Sequence, residues 1–242
     1  MRWSQIVQLA VVAAIIAAAT TAVAVLIPWL PVNASEQRDG IDFTFWLATG
    51  ICIFIFAVVC SVILFSVWKF RARADDDTDG PPIHGHTGLE IAWTAVPALL
   101  VTTIAIAAAV VLTQNSNAGN NPLRITVTAQ QFAWQFEYTN GPADGRTEPT
   151  LRLPLGRPVE LSLHSKDVIH SFWVPEFGQK MDALPDTEEF PHPTELVITP
   201  TKLGTFPIIC TELCGLGHSL MRSSAIVMRP GEFNSWARSA AS

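Results

Sequence analysis

Residues 123–139, LRITVTAQQFAWQFEYT, decide the fold of the larger part of this chain. Apolar and polar residues alternate along the stretch, which is rich in aromatic and β-branched side chains. That pattern is typical of half-buried β-strands, because successive side chains of a strand point to opposite faces. Similar short runs follow at turn-marked intervals in residues 151–165, 192–211 and 223–230. The sequence predicts an antiparallel sandwich or barrel over residues 118–242, closed by a short helix.

Upstream of this β domain, three segments contain no charged residue, namely residues 6–30, 43–68 and 91–113. Each is long enough to cross a bilayer, whose hydrocarbon core takes about 20 apolar residues. The second and third segments predict a transmembrane helix hairpin over residues 42–114, connected by a loop at 69–90.

The charges of that loop orient the hairpin. Lys69, Arg71 and Arg73 follow the second segment directly, and basic loop residues stay on the cytoplasmic side. We therefore expect a multi-pass protein of a prokaryotic plasma membrane, with its β domain on the extracytoplasmic side.

Residues 1–34 fit two interpretations. Arg2 followed by a long apolar run resembles a secretory signal peptide, with cleavage sites after Ala24 and after Ala34. The same run is long enough to remain as an extra transmembrane helix. The sequence alone leaves both interpretations open.

The composition agrees with membrane anchorage and excludes some other classes. Of 242 residues, 49% are apolar and only 15% are charged, whereas soluble domains carry roughly 25% charged residues. The net charge of −6 predicts no nucleic-acid partner, because such proteins present a basic footprint. Four cysteines are too few for a disulfide-dense scaffold.

Residues 210–221, CTELCGLGHSLM, are the most informative about chemistry. Cys210, Cys214, His218 and Met221 follow one another at spacings of four, four and three. Thiolate, imidazole and thioether are soft or borderline ligands, which favour copper over magnesium or calcium.

The second cysteine changes the type of site, because two thiolates can bridge two copper ions, each with its own histidine. One ion would take His218, and the other would take His170, which lies at the end of a predicted strand. Met221 would be a weak axial ligand to one ion, and the carbonyl of Glu212 would serve the other. A disulfide between the two cysteines or a zinc site is the alternative.

Residues 43–236 resemble subunit II of a haem–copper terminal oxidase of the cytochrome c oxidase type. The motifs that carry the resemblance occur in order, and they are LEIAWTAVP, QFAWQFEY, DVIHSFWVPEFGQKMDALP and CTELCGLGHSLM. The resemblance implies a membrane-anchored all-β architecture, in which a helix hairpin precedes a cupredoxin-like Greek-key β-sandwich with a dinuclear copper A centre. It implies as ligands the residues His170, Cys210, Glu212 (through its carbonyl), Cys214, His218 and Met221.

The resemblance also implies a function. Such a subunit accepts electrons from cytochrome c and passes them to haem in subunit I, where O2 reduction is coupled to proton pumping. Subunit III is a further expected partner. The side chain of Glu212 is expected to bind magnesium at the subunit I interface, and Glu90 matches a glutamate near a proton-pathway entrance.

One motif departs from the family pattern. Phe132 stands where many members have the tryptophan at which electrons enter, and Trp134 is retained two residues later. Because the two alternate with Ala133, we expect them to share one face of a strand.

Two other functions remain as alternatives, the copper A subunit of a nitric oxide reductase and a membrane-anchored copper carrier. A carrier is disfavoured because it needs exposed, exchangeable ligands. A quinol oxidase subunit is disfavoured because those relatives lack this ligand set.

Overall fold

A computed structural model describes residues 3–71, 80, 82, 84–188 and 191–239. Its contacts divide the chain into two units. One unit comprises Met1–Leu30 and Phe43–Ala109, and the other comprises Pro31–Asp42 and Val110–Ser242. Arg73 and nine other residues of the loop at 69–90 lie outside the described residues.

Three long helices precede the β domain: α1 (Trp3–Leu26), α2 (Glu36–Lys69) and α3 (Thr87–Asn115). All three are long and apolar enough to cross a membrane. Charged residues occur near the ends of α2, where Glu36 and Asp39 lie in the first turn and Lys69 in the last. The apolar middle thus has the length that a bilayer span requires.

Ten strands and a terminal helix form the β domain. They are β1 (Leu123–Gln130), β2 (Ala133–Tyr138), β3 (Thr147–Glu148), β4 (Leu151–Pro154), β5 (Val159–Ser165), β6 (His170–Trp173), β7 (Lys180–Pro185), β8 (Thr194–Ile198), β9 (Gly204–Cys210), β10 (Arg222–Met228) and α4 (Pro230–Arg238). The strands run in the order β3-β2-β1-β5-β7-β6-β9-β10-β4, and β8 pairs with β5. The predicted terminal helix is present as α4, and residues 240–242 lie outside the described part.

The alternation of residues 123–139 produces the core. Leu123, Ile125 and Val127 of β1 are buried, as are Trp134, Phe136 and Tyr138 of β2. Leu161 on the neighbouring strand β5 lies beside Ile125, and Phe172 and Ile208 belong to the same core. Burial of each large apolar side chain contributes roughly 1.5–3 kcal/mol, so this double layer of strands is a stable frame for the loops at its ends.

The expectation of a purely antiparallel sheet is wrong. β1 pairs with β5 in parallel, β5 pairs with β7 in parallel, and β10 pairs with β4 in parallel. Alternation of polar and apolar residues reports which side of a strand is buried and says nothing about its direction relative to a neighbour. The parallel pairs arise where the chain crosses over between non-consecutive strands.

Tyr138 ties β2 to β4 inside this frame. Its hydroxyl donates to the carbonyl of Arg152 at 2.9 Å and accepts from the backbone N–H of Arg152 at 2.8 Å. Burial raises the pKa of Tyr138, because the interior disfavours the phenolate. The side chain therefore stays neutral and can both donate and accept.

Tyr138→Phe is expected to lower the free energy of unfolding by about 1–3 kcal/mol, because it removes the hydroxyl that binds both backbone groups of the half-buried Arg152. Chemical denaturation of the detergent-solubilised chain, followed by tryptophan fluorescence, measures the loss. The control is Glu137→Gln on the exposed face of the same strand, which should change stability by less than about 0.5 kcal/mol. Equal effects of the two substitutions would contradict the assignment.

Candidate metal centre

The ends of three strands bring the predicted ligands together. Cys210 is the last residue of β9. His170 is the first residue of β6, whereas the sequence suggested that a strand would finish there. β6 and β9 are paired neighbours, with Phe172 opposite Cys210. The loop from β9 to β10 then supplies Cys214, His218 and Met221. Pairing of adjacent strands thus joins a histidine to a loop that begins 40 residues later in the chain.

The two cysteines lie at the centre of the cluster. Their Sγ atoms are 3.9 Å apart, about twice the length of a disulfide bond, which is ~2.0 Å. Both thiols are free and buried. The geometry therefore places two separate sulfur ligands side by side, which disagrees with the alternative of a disulfide.

Each cysteine has its own imidazole neighbour. The Sγ of Cys210 is 3.8 Å from Nδ1 of His170, and the Sγ of Cys214 is 3.6 Å from Nδ1 of His218. The ligand atoms of His170, Cys210 and Cys214 all lie within 4.8 Å of one another. A pair of sulfurs flanked by two imidazoles has the donor arrangement of a two-metal site.

Two weaker donors lie next to the cysteines, one beside each sulfur. The carbonyl oxygen of Glu212 is 3.3 Å from the Sγ of Cys210. The Sδ of Met221, which is fully buried, is 3.8 Å from the Sγ of Cys214. Glu212 itself is exposed.

Asp167, which the sequence analysis did not select as a site residue, controls the orientation of His170. Its Oδ1 lies 2.8 Å from Nε2 of His170, and its Oδ2 accepts from the backbone N–H of Gln131 at 2.7 Å. A carboxylate on Nε2 keeps the proton there, which leaves the lone pair of Nδ1 free toward Cys210. The spacing of three residues between Asp167 and His170 was the available signal in the sequence.

The charge state of Asp167 suits this role. Partial burial acts to raise its pKa, but hydrogen bonds from the Gln131 backbone N–H, the His170 ring and the Val168 backbone N–H outweigh that effect. The pKa of Asp167 is consequently lowered to about 2. The carboxylate is therefore ionised at neutral pH and accepts hydrogen bonds with both oxygens.

Gln131 links the two ligand-bearing loops. Its backbone N–H is bound to Asp167 on one side, and its Nε2 donates to the carbonyl of Cys214 at 2.5 Å on the other. A continuous chain of contacts thus runs from the ring of His170 to the backbone of Cys214. No feature of the sequence singled out Gln131 for this position.

The expectation that Phe132 and Trp134 share a strand face is wrong, because β2 begins only at Ala133. Phe132 lies in the turn before it and is 38% exposed. Its ring packs on Gly217 in the loop between β9 and β10, where an added Cβ would lie 2.5 Å from Cδ2 of Phe132. The absence of a side chain at 217 is what allows this contact.

Trp134 lies inside the domain. It is 2% exposed, and its ring centroid is 6.2 Å from that of His170 and 5.6 Å from that of Phe172. Within the described part of the chain, its Nε1 has no hydrogen-bond partner. Trp134 therefore packs against the site, whereas Phe132 covers it from outside.

Glu90 is part of the helical unit and does not join this cluster. It lies in the first turn of α3, where its Oε1 accepts from the backbone N–H of His86 at 3.0 Å. That contact satisfies a backbone donor next to the start of the helix, where a carboxylate is favourable.

Comparison with known proteins gives this arrangement a family. Residues 21–110 match the sequence model of the cytochrome c oxidase subunit II transmembrane domain, and residues 145–229 match that of its periplasmic domain. The second match contains His170 and the whole of residues 210–221.

Individual relatives agree with these matches. Cytochrome c oxidase subunit 2 of Synechocystis sp. is 31% identical, over 86% of this chain and 74% of that protein. The subunit of the same name from Thermostichus vulcanus is 34% identical, over 86% of this chain and 77% of that protein. The periplasmic domain of subunit II of cytochrome oxidase from Bradyrhizobium japonicum is 27% identical, covering 51% of this chain and 96% of that chain, with a TM-score of 0.45.

These findings confirm the resemblance seen in the sequence, the cupredoxin-like architecture behind membrane helices, and the extracytoplasmic position of the β domain. The soft, buried donor set is consistent with copper. This chain belongs to the cytochrome c oxidase subunit II family and is thus a subunit of a haem–copper oxidase.

Proposed function

We propose that this chain accepts electrons from cytochrome c at a dinuclear copper A centre within residues 118–242 and delivers them to haem in subunit I. There they serve O2 reduction coupled to proton pumping. The observation that carries the proposal is the symmetry of the donors, in which two sulfurs 3.9 Å apart each have their own imidazole. A site for a single metal ion would need only one sulfur with its imidazole.

The donors are enough for two ions. Cys210, Cys214, His170 and His218 would hold them, with the Glu212 carbonyl and Met221 as weaker donors. When bound, the centre supplies a one-electron redox couple shared by two metals. The protein holds its ligands on paired strand ends and excludes water, since His170, Cys210, Cys214 and Met221 are all buried. We expect the positions of these ligands to change little when the centre gains or loses an electron, because the surrounding frame is packed and dry.

Phe132 and Trp134 are proposed to carry the electron from its donor to the centre. Phe132 is exposed and packs over Gly217, beside His218. Trp134 packs edge-on to the ring of His170. Phe132 thus offers an exposed ring over the ligand loop, and Trp134 offers a buried ring beside His170.

The remaining roles follow the family. The exposed carboxylate of Glu212 would bind magnesium together with subunit I, while its carbonyl faces Cys210. The hairpin at residues 42–114, with its cytoplasmic loop at 69–90, would anchor the chain beside subunits I and III. Glu90, at the exposed start of α3, would stand at the entrance of a proton pathway.

The direct test is the metal content and spin state of the full chain. Reconstituted protein should hold two copper ions per chain and give a mixed-valence EPR signal with one electron shared by two copper nuclei. One copper per chain, or hyperfine coupling to a single nucleus, would overturn the dinuclear assignment.

Copper uptake should depend on pH with a definite sign. Burial, followed by the effect of the Cys210 thiol, raises the pKa of Cys214 to about 11, so the metal must displace a proton from this sulfur at neutral pH. The apparent affinity should rise with pH by about tenfold per unit for each proton displaced. Competition against a chelator of known pH dependence between about pH 6 and pH 9 measures the slope.

The same titration on Cys214→Ser is its control. That variant should bind more weakly and with a shallower slope, because its hydroxyl has no thiol proton to release. An affinity of the unmodified chain that stays constant with pH would contradict the prediction.

A further inference from the structure

A short segment between α1 and the body of α2 is built into the β domain. We call residues 31–42 the strap. Four of its residues are buried side by side or nearly so: Ala34 is 0% exposed, Ser35 1%, Gln37 7% and Arg38 3%. Ala34 belongs to the same hydrophobic core as the strands. The strap is thus a structural part of the unit that carries the metal ligands.

Main-chain hydrogen bonds join the strap to the β domain. The backbone N–H of Ala34 donates to the carbonyl of Glu176 at 3.0 Å, and its carbonyl accepts from the N–H of Thr201 at 2.9 Å. The N–H of Glu36 donates to the carbonyl of Thr199 at 3.0 Å. Both polar groups of Ala34 are therefore satisfied by the β domain.

Buried polar side chains of the strap are also satisfied. The hydroxyl of Ser35 donates to the carbonyl of Phe177 at 2.8 Å and accepts from the N–H of Arg38 at 3.3 Å, which caps the first turn of α2. The side-chain carbonyl of Gln37 accepts from the N–H of Thr199 at 2.8 Å. Such bonds are costly to lose, because each leaves an unpaired group in the interior.

Arg38 fastens the strap to the turn that follows β6. Its Nε is 2.6 Å from Oδ1 of Asp42, and its Nη1 donates to the carbonyl of Pro175. Its stem lies against Gly178, where an added Cβ would be 2.6 Å from Cδ of Arg38. Gly178 has φ of +84°, a conformation that favours glycine. The turn is thus shaped to receive this side chain.

We propose that the strap is retained in the mature protein, so that the Val32-Asn33-Ala34 sequence is not a processing site. If a leader is removed, cleavage occurs after Ala24, before the strap. A cut after Ala34 would remove a core residue, break its two main-chain bonds and create a charged amine on Ser35. Burying such a charge without a partner is strongly unfavourable.

The N-terminus of the mature chain tests the proposal directly. The subunit would be purified from the membrane through a C-terminal tag, and its N-terminus identified by intact mass and terminal sequencing. We expect Val25 as the first residue if a leader is removed, and the uncut N-terminus otherwise. A cut at another position up to Pro31 would overturn the site after Ala24, and a first residue at Val32 or later would overturn retention of the strap.

A pair of variants tests whether the strap supports the domain. Arg38→Ala should lower the melting temperature by on the order of 5–10 °C, or prevent accumulation of the chain, because it removes the ion-pair partner of Asp42, one donor to the Pro175 carbonyl and the side chain packed on Gly178. The matched control is Glu36→Ala, whose side chain is exposed in the same strap. Equal melting temperatures for the two variants would overturn the structural role. Both readouts are independent of copper and of electron transfer.

Discussion

Replacing Cys210 by serine is expected to abolish the proposed two-copper centre. The Sγ of Cys210 lies near Nδ1 of His170, the carbonyl of Glu212 and the Sγ of Cys214, so the substitution would remove one of the two sulfurs proposed to hold both ions. Serine is a harder donor that suits copper poorly. We expect copper to fall to one ion per chain or less, together with loss of the shared-electron EPR signal and of cytochrome c oxidation.

The chain offers its own control for this substitution. Cys52 lies in α2, outside the metal cluster, and is also a free thiol. Cys52→Ser should retain two copper ions, the EPR signal and turnover. A Cys210→Ser chain that keeps the native signal would refute the role of the bridging sulfur.

Asp167→Asn is expected to weaken copper binding by about 10–100-fold, the usual effect of removing the outer partner of a metal-bound histidine. The amide has the shape of the carboxylate but lacks its charge and one of its two acceptors. Either Nε2 of His170 or the N–H of Gln131 must then lose its oxygen. The ring of His170 becomes less basic and free to turn.

Copper affinity by chelator competition and the reduction potential by redox titration measure this effect. A more positive potential is expected, because removal of a negative charge beside the site disfavours the oxidised centre. The control is Asp144→Asn at an exposed turn of the same domain, which should change neither quantity. An unchanged affinity and potential in Asp167→Asn would contradict the role assigned to the carboxylate.

Much of the frame could be predicted from the sequence because its signals are local. The alternation in residues 123–139 corresponds to buried Ile125, Val127, Trp134 and Phe136, since strand burial has a period of two. The three charge-free segments could be predicted as membrane helices because the length of an uncharged apolar run is itself the signal. The ligand-type residues of the β9–β10 loop lie within twelve positions, so one turn-rich loop brings them together.

The rest depends on contacts between distant parts of the chain. The parallel direction of the pairing between β1 and β5 cannot be recognised from the residues of either strand. Asp167 differs from the other acidic residues only by its spacing of three from His170, and Gln131 is one more polar residue near a turn. Their roles arise because two loops meet at the same end of the sandwich, where Gln131 reaches the carbonyl of Cys214.

The contact between Phe132 and Gly217 has a consequence for how such sequences can vary. The ring occupies the space that a Cβ at position 217 would need, so the outer wall of the site belongs jointly to two loops. A side chain at position 217 would require a smaller residue at position 132. A larger ring at position 132 would fit only while position 217 remains glycine. Substitutions at the two positions should therefore occur together in related sequences. Transfer of one of these loops into a relative should preserve the fold of the site only when the other loop is transferred as well.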